Sequence, residues 1–220
     1  MLFRSINMLE AARRAGVRRF MFAASSSAYG DTVELPKHEQ MLPQPLSPYA
    51  AGKIAGEHYV RVYAQTMGLD GVSLRYFNIF GPRQDPSSPY SGVISIFIEK
   101  ASQGARPTIF GDGTQTRDFT YVANAVAANL AAMRHPQPLG GDVFNVGTGE
   151  RISLLDLVTS LKSIFSTNVE HDFQPARAGD VRDSLASLDK IRQVLGYQPT
   201  ISFGEGLRRT VDASVPTLLR

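Results

Sequence analysis

The stretch VRRFMFAASSSAYGD, residues 17–31, runs from a pair of arginines through an apolar segment into consecutive serines, a tyrosine and a glycine. A short apolar run closed by turn-forming residues reads as a buried β-strand that ends in a turn. Its surroundings decide what kind of sheet it joins. Upstream, Ile6, Met8, Leu9 and Ala12 form a helical apolar stripe that Ala15 and Gly16 bring to an end. Downstream, the turn-rich GDTVELPKHEQMLPQPL leads to a long helix expected to open at Ser47, with Pro48 in its first position, and to run to about Met67 before Gly68. GVSLRYFNIFG then supplies a second strand whose end carries Asn78, Gly81 and Pro82. Strand, helix and strand in this order predict an α/β fold with a parallel sheet and crossover helices. Ligands of such sheets bind beyond the carboxyl ends of the strands, which is where the SSS and FN stretches fall.

Beyond Arg83 the character changes. RQDPSSPYSG reads as a loop, VISIFIEKASQG as a helix, PTIFGDGTQTRDFTYV as a Gly-rich hairpin-like segment and VANAVAANLAAMRH as another helix. GDVFNVGTG is a strand and turn, and SLLDLVTSLKSIF a helix with Ser153 as cap and Asp156 at N3. A loop with two short helices closes the chain over GDVRDSLASLDKIRQVLGYQP and SFGEGLRRTVDASV. No internal repeat or low-complexity tract is present. A second, smaller α+β domain is expected, with its boundary between Gly81 and Asp85.

Composition narrows the function classes. The 220 residues are 43% hydrophobic and 20% charged, as in ordinary globular proteins. Charged, Gly or Pro residues interrupt every apolar run before a membrane-spanning length, and the opening residues lack a secretory-signal pattern. With no cysteine, disulfides, thiolate metal sites and cysteine nucleophiles are excluded. No metal is expected, and a reducing cytoplasm suits the composition. The net charge of +3 concentrates at Arg13, Arg14, Arg18 and Arg19, read as a solvated helix end. No nucleic-acid-binding motif accompanies it, so a small anionic ligand fits better than a polymer.

The chemistry centres on SPYAAGK. Tyr49 and Lys53 stand four apart on the expected helix and so share a face. A lysine cation beside a phenol favours the phenolate, which can act as a base. Taken singly, the pair also fits an ordinary helix surface, and Ser25, Ser26 and Ser27 also fit strand-end capping.

The joint pattern goes further. AASSSAYGD, LPKHE, PLSPYAAGKIAGEHY, LRYFNIFGPRQDP, IFGDGTQTRDFTYV, FNVGTG and AGDVRDSLAS occur in this order across nearly the whole chain. Together they resemble the extended short-chain dehydrogenase/reductases, specifically the NAD-dependent epimerase/dehydratase family, with the closest likeness to UDP-glucose and UDP-N-acetylglucosamine 4-epimerases. The resemblance implies a partial Rossmann-type sheet in residues 1–82 that belongs to an NAD-binding domain. It implies a nucleotide-sugar-binding region in 83–220, with short segments returning to the sheet. It also implies a homodimer through helices 3–15 and 47–67, with Ile54, Val60 and Val62 on the interface or in the core.

The family's roles carry over to matching positions. Ser25, Tyr49 and Lys53 resemble its catalytic triad, Ser25 being four before Tyr29. Tyr49 would take the proton of the sugar 4-OH, Ser25 would bond the same oxygen, and Lys53 would hold the nicotinamide ribose. Ala23, Tyr76 and Phe77 join Tyr49 and Lys53 as implied NAD contacts. Ser26, Ser27, Asn78, Val93, Ile109, Arg117, Arg177, Asp180 and Ser184 are the implied contacts of a UDP-sugar, the arginines offering forked donors to the diphosphate.

Three departures shape the expectation. Where dehydratases of this family have Thr-Asp-Glu, this chain has Ser25, Ser26 and Ser27, so dehydration is not expected. Ser184 stands where some glucose-restricted epimerases have tyrosine, leaving space for a 2-acetamido group. The Gly-rich turn between a first strand and helix, which cradles the pyrophosphate of NAD, is missing. GDGTQTRD and GTGERIS come after the catalytic helix and do not replace it. Upstream family sequence is therefore expected to be lacking, and the chain alone is expected to bind NAD poorly and to be inactive or nearly so. Uncovered apolar faces and edges would then favour insoluble expression. Two alternatives stay open: a related dehydrogenase, reductase or decarboxylase, and a non-catalytic nucleotide-sugar-binding fragment.

Overall fold

The structure is a computed structural model that describes residues 2–88, 92–166, 169–177 and 180–218. Helix α1 (Leu2–Arg14) precedes strand β1 (Phe20–Ser25), which passes into a 3-10 turn over Ser26–Tyr29. Helix α2 (Pro48–Thr66) crosses over to β2 (Gly71–Tyr76), followed by β3 (Asn78–Phe80) and α3 (Val93–Ser102). Strands β4 (Thr108–Phe110), β5 (Thr116–Arg117) and β6 (Phe119–Tyr121) lead to α4 (Val122–Arg134) and β7 (Asp142–Val146). Strand β8 (Ile152–Ser153), α5 (Leu154–Phe165), β9 (Asp172–Gln174), α6 (Asp189–Leu195) and α7 (Phe203–Leu218) complete the order. The middle of the expected loop over 83–92, residues 89–91, and residues 178–179 of the AGDVRDSLAS stretch lie outside the described residues.

The expected parallel sheet is present in the order β1-β2-β7, with Ser25 opposite Tyr76 and Tyr76 opposite Val146. All three strands therefore end together, and the polar residues that follow them share one rim. Alternation sorts the two faces. Phe22 and Ala24 pack against α1 and α2 through Leu9, Val60 and Tyr63, whereas Val72, Leu74, Phe144 and Val146 pack against Ala125, Ala128 and Ile191 of α4 and α6. Gly56 sets the depth of α2 on the sheet, because a Cβ there would meet the Phe22 ring at 2.3 Å. A separate core joins α3, α5 and α7, with Phe119 stacked on Phe203 at 5.7 Å and Phe80 edge-on to Phe119.

Capping follows the sequence signals. The Ser47 side chain accepts from Ala50 N with Pro48 behind it, and Ser153 and Asp156 form a complete capping box. Other expectations are corrected. The segment 107–122 is not a hairpin: β4 pairs with β9, β5 with β8 and β6 with β3, because each short strand finds a partner distant in sequence. Met8 is 59% exposed, since α1 is covered on the side of Leu9 and Ala12 where α2 packs. The basic run is also not uniformly solvated. Arg13 and Arg14 pair with Glu10, but Arg19 is buried, bonded to Asp70 at 2.6 Å and donating to the carbonyls of Ala132, His135 and Gln137. Its forked donors close the carboxyl end of α4.

Candidate active site

The rim where the strands end opens into a cavity of about 260 Å³. Ser25, Ser26 and Ser27 form one wall and Phe77 and Asn78 the next. Arg117, Asp180, Asp183 and Ser184 come from the second half of the chain. The structure thus brings together eight of the residues singled out in the sequence, from four separate segments.

The serine wall is built by its own turn. Ser25 caps the 3-10 turn, accepting from Ser27 N at 3.2 Å and from the Ser27 hydroxyl at 2.9 Å. Behind it, buried Tyr29 donates to Asn145 Oδ1 at 2.6 Å and lies under the Arg75 guanidinium, 4.7 Å from the ring centre. Burial pushes the Tyr29 phenol up to about 12, so it stays protonated. Arg75 makes a forked pair with Glu57 of α2 at 2.9 and 2.7 Å, both side chains being almost fully buried. This pair locks α2 to β2, the strand that leads into Phe77 and Asn78.

Lys53 reaches from α2 to the Ala23 carbonyl at 2.5 Å, and partial burial lowers its pKa. Its ammonium lies 5.6 Å from the centre of the Tyr49 ring. Tyr49, 51% exposed on the first turn of α2, does not line the cavity, and neither does Lys53. Ala23 is exposed on β1. Tyr76 turns away from the rim, exchanging hydrogen bonds with Asn129 of α4.

Arg117 is held by the carbonyls of Thr116 and Arg182, at 2.9 and 3.0 Å, with Asp180 at 4.0 Å. Burial lowers its pKa. A second cavity of about 320 Å³ adjoins the first through Arg117 and Asp180, and there Arg177 stacks on the Phe110 ring at 3.7 Å. Val93 packs against the second core and Ile109 is fully buried within it; neither lines these two cavities.

Sequence reasoning missed two groups. Buried Asp118 accepts from Thr148 N and Oγ1, Gly149 N and Ala186 N between 2.8 and 3.1 Å, fastening the GTG turn to the 184–186 segment. An acidic residue in the otherwise apolar strand segment DFTYV was the available signal. Buried Lys37 donates to both oxygens of Thr32 and to the Glu34 carbonyl and lines the first cavity. Its partners belong to its own loop, so no spacing announces it.

Residues 4–147 match the NAD dependent epimerase/dehydratase family. A UDP-glucose 4-epimerase of Mycolicibacterium smegmatis is 40% identical over 94% of this chain and 66% of its own length. A UDP-glucose 4-epimerase of Thermotoga maritima, solved with UDP-glucose, superimposes with a TM-score of 0.92 at 39% identity, covering 97% of this chain and 69% of that one. A UDP-N-acetylglucosamine 4-epimerase of Methanobrevibacter ruminantium, in complex with UDP-N-acetylmuramic acid, gives a TM-score of 0.92 at 34% identity, covering 97% and 68%. The chain spans about two thirds of the length of these relatives.

Proposed function

The chain belongs to the NAD dependent epimerase/dehydratase family, and from that premise we propose that it forms the catalytic and sugar-binding part of a UDP-sugar 4-epimerase. The observation that carries this reading is the joined pair of cavities: serine hydroxyls at one end, Arg117 and Arg177 at the other, and the Tyr49–Lys53 face beside the serine wall. The sugar would sit against Ser25, Ser26 and Ser27, with Asn78 toward the diphosphate. Arg117 and Arg177 would hold the diphosphate, the Arg177 face resting on the Phe110 ring. Asp180 would accept from a ribose hydroxyl.

The family is NAD dependent, and the residues here fit one end of that cofactor. Lys53, Tyr49, exposed Ala23 and Phe77 suit the nicotinamide ribose. The pyrophosphate is not served by the glycine turns of this chain: the N–H groups of Thr148 and Gly149 already face the Asp118 carboxylate, and Gly111 N donates to Gln174. Bound NAD supplies a hydride acceptor and donor. Tyr49 would remove the proton from the sugar 4-OH and, in the reverse sense, give it back to the same oxygen. Lys53 stabilises the phenolate, and the cavity wall orients the ring. Ser184, buried and small, leaves space for a 2-acetamido group, which favours UDP-N-acetylhexosamines. Met8, Tyr59 and Val62 are exposed on α1 and α2 and supply an apolar surface for a homodimer, whereas Val60 belongs to the core.

Calorimetric titration of UDP-glucose, UDP-N-acetylglucosamine and NAD into the chain tests this, together with product analysis at saturating NAD. UDP-sugar binding with weak NAD binding is expected. Stoichiometric NAD in the purified chain overturns the cofactor argument, and turnover of UDP-glucose without UDP-N-acetylglucosamine overturns the acetamido argument.

A further inference from the structure

We propose that Ser27 is a positioning residue that makes Ser25 a hydrogen-bond donor only, with its proton directed into the cavity. A serine hydroxyl has one proton and two lone pairs. The Ser25 oxygen receives Ser27 N at 3.2 Å and the Ser27 hydroxyl at 2.9 Å, so both lone pairs are engaged by the same residue. The extended Ser25 backbone, φ −153° and ψ 143°, and the 3-10 turn that follows hold this geometry before any ligand arrives. Both serines line the cavity, and what remains to Ser25 is its O–H.

The consequence is a division of labour at the reacting oxygen. A Ser25 with a free lone pair could accept the sugar hydroxyl's proton and compete with Tyr49 for it. A donor-only Ser25 offers the sugar oxygen a proton to lean on, an interaction that persists as that oxygen becomes a carbonyl, and leaves proton removal to the phenol. Ser27 thereby acts on the chemistry through Ser25.

This rests on the UDP-sugar reading of the cavity, so the test uses ligands that separate the two claims. Affinities of UDP, UDP-glucose and UDP-4-deoxyglucose are measured by calorimetry for the native chain, Ser27→Ala, Ser27→Thr and Ser25→Ala. The native chain is expected to prefer UDP-glucose over its 4-deoxy analogue by about fivefold, the worth of one ordinary hydrogen bond. Ser27→Thr keeps that preference, whereas Ser27→Ala and Ser25→Ala reduce it to about twofold or less, with UDP itself bound equally by all four proteins. A merely structural role for Ser27 would weaken UDP as well and overturns the proposal. Preference unchanged in Ser27→Ala, or increased because Ser25 had been donating to Ser27, also overturns it. Failure of every protein to bind UDP refutes the functional reading instead.

Discussion

Replacing Glu57 tests how α2 is fixed to the sheet. The Glu57 and Arg75 side chains are 6% and 4% exposed and joined by a forked pair of hydrogen bonds. The Arg75 Nη1 atom has no hydrogen-bond partner among the described residues, and the Glu57 carboxylate bonds the other two guanidinium nitrogens, Nε and Nη2. Truncating one member of a buried pair leaves an uncompensated charge and costs about 3–5 kcal/mol. Against a total stability of about 5–15 kcal/mol this is a large fraction. With a urea slope of about 3 kcal/mol per molar, Glu57→Ala should move the unfolding midpoint down by about 1 to 2 M, followed by far-UV circular dichroism. The paired replacement Glu57→Leu with Arg75→Met should recover most of that loss, because it removes the buried charge together with its partner. A single-mutant loss below about 1 kcal/mol would refute the reasoning, as it would place the pair in the class of solvated surface bridges.

Other outcomes follow from separate parts of the molecule. Tyr49→Phe should leave UDP affinity unchanged and lower kcat for 4-epimerisation at saturating NAD by about 10²- to 10⁴-fold, the range for a lost acid–base group; full activity in that variant would favour another base. Hydrogen bonds from Arg13 and Arg14 hold the Glu10 carboxyl at about 2 instead of 4.5. Because the folded value is the lower one, the support this gives α1 is present above the unfolded value and fades as pH falls toward 2. A carboxyl NMR titration placing Glu10 near 4.5 would contradict it. Asp118→Ala should lower the melting temperature, since it strands the N–H groups of Thr148, Gly149 and Ala186, and added formate should restore part of the loss where chloride does not.

Local signals made much of the fold legible. Ser47 with Pro48 and Ser153 with Asp156 marked helix starts that depend on contacts a few residues away. The parallel sheet followed from β1 and β2 being apolar runs joined by an amphipathic helix. What failed was long-range: β4, β5 and β6 take partners 35 to 64 positions ahead of or behind them in the chain, and nothing in a Gly-rich segment distinguishes that from a hairpin. At the site, Ser25, Asn78, Arg117, Asp180 and Ser184 were named from their motifs and meet in one cavity. Asp118 went unnamed because its partners lie in loops whose meeting the sequence does not show, and Lys37 because its partners, within its own loop, follow no recognisable spacing. Arg19 was misread for the same reason, its acceptors being carbonyls 113 to 118 positions later.

The two tyrosines near the serine run show how the scaffold assigns chemistry to side chains of one type. Tyr29 stands two residues after the serines and lines the cavity, which alone would make it the obvious base. Its surroundings forbid that role. Burial raises it to about 12, its proton is already given to Asn145, and the Arg75 cation above its ring is compensated by Glu57. Tyr49 has the opposite surroundings: an open first helical turn, a lysine ammonium 5.6 Å from the ring centre, and no hydrogen-bond partner assigned to its hydroxyl among the described residues. Tyr29 therefore braces the serine turn, and the proposed function gives the proton chemistry to Tyr49.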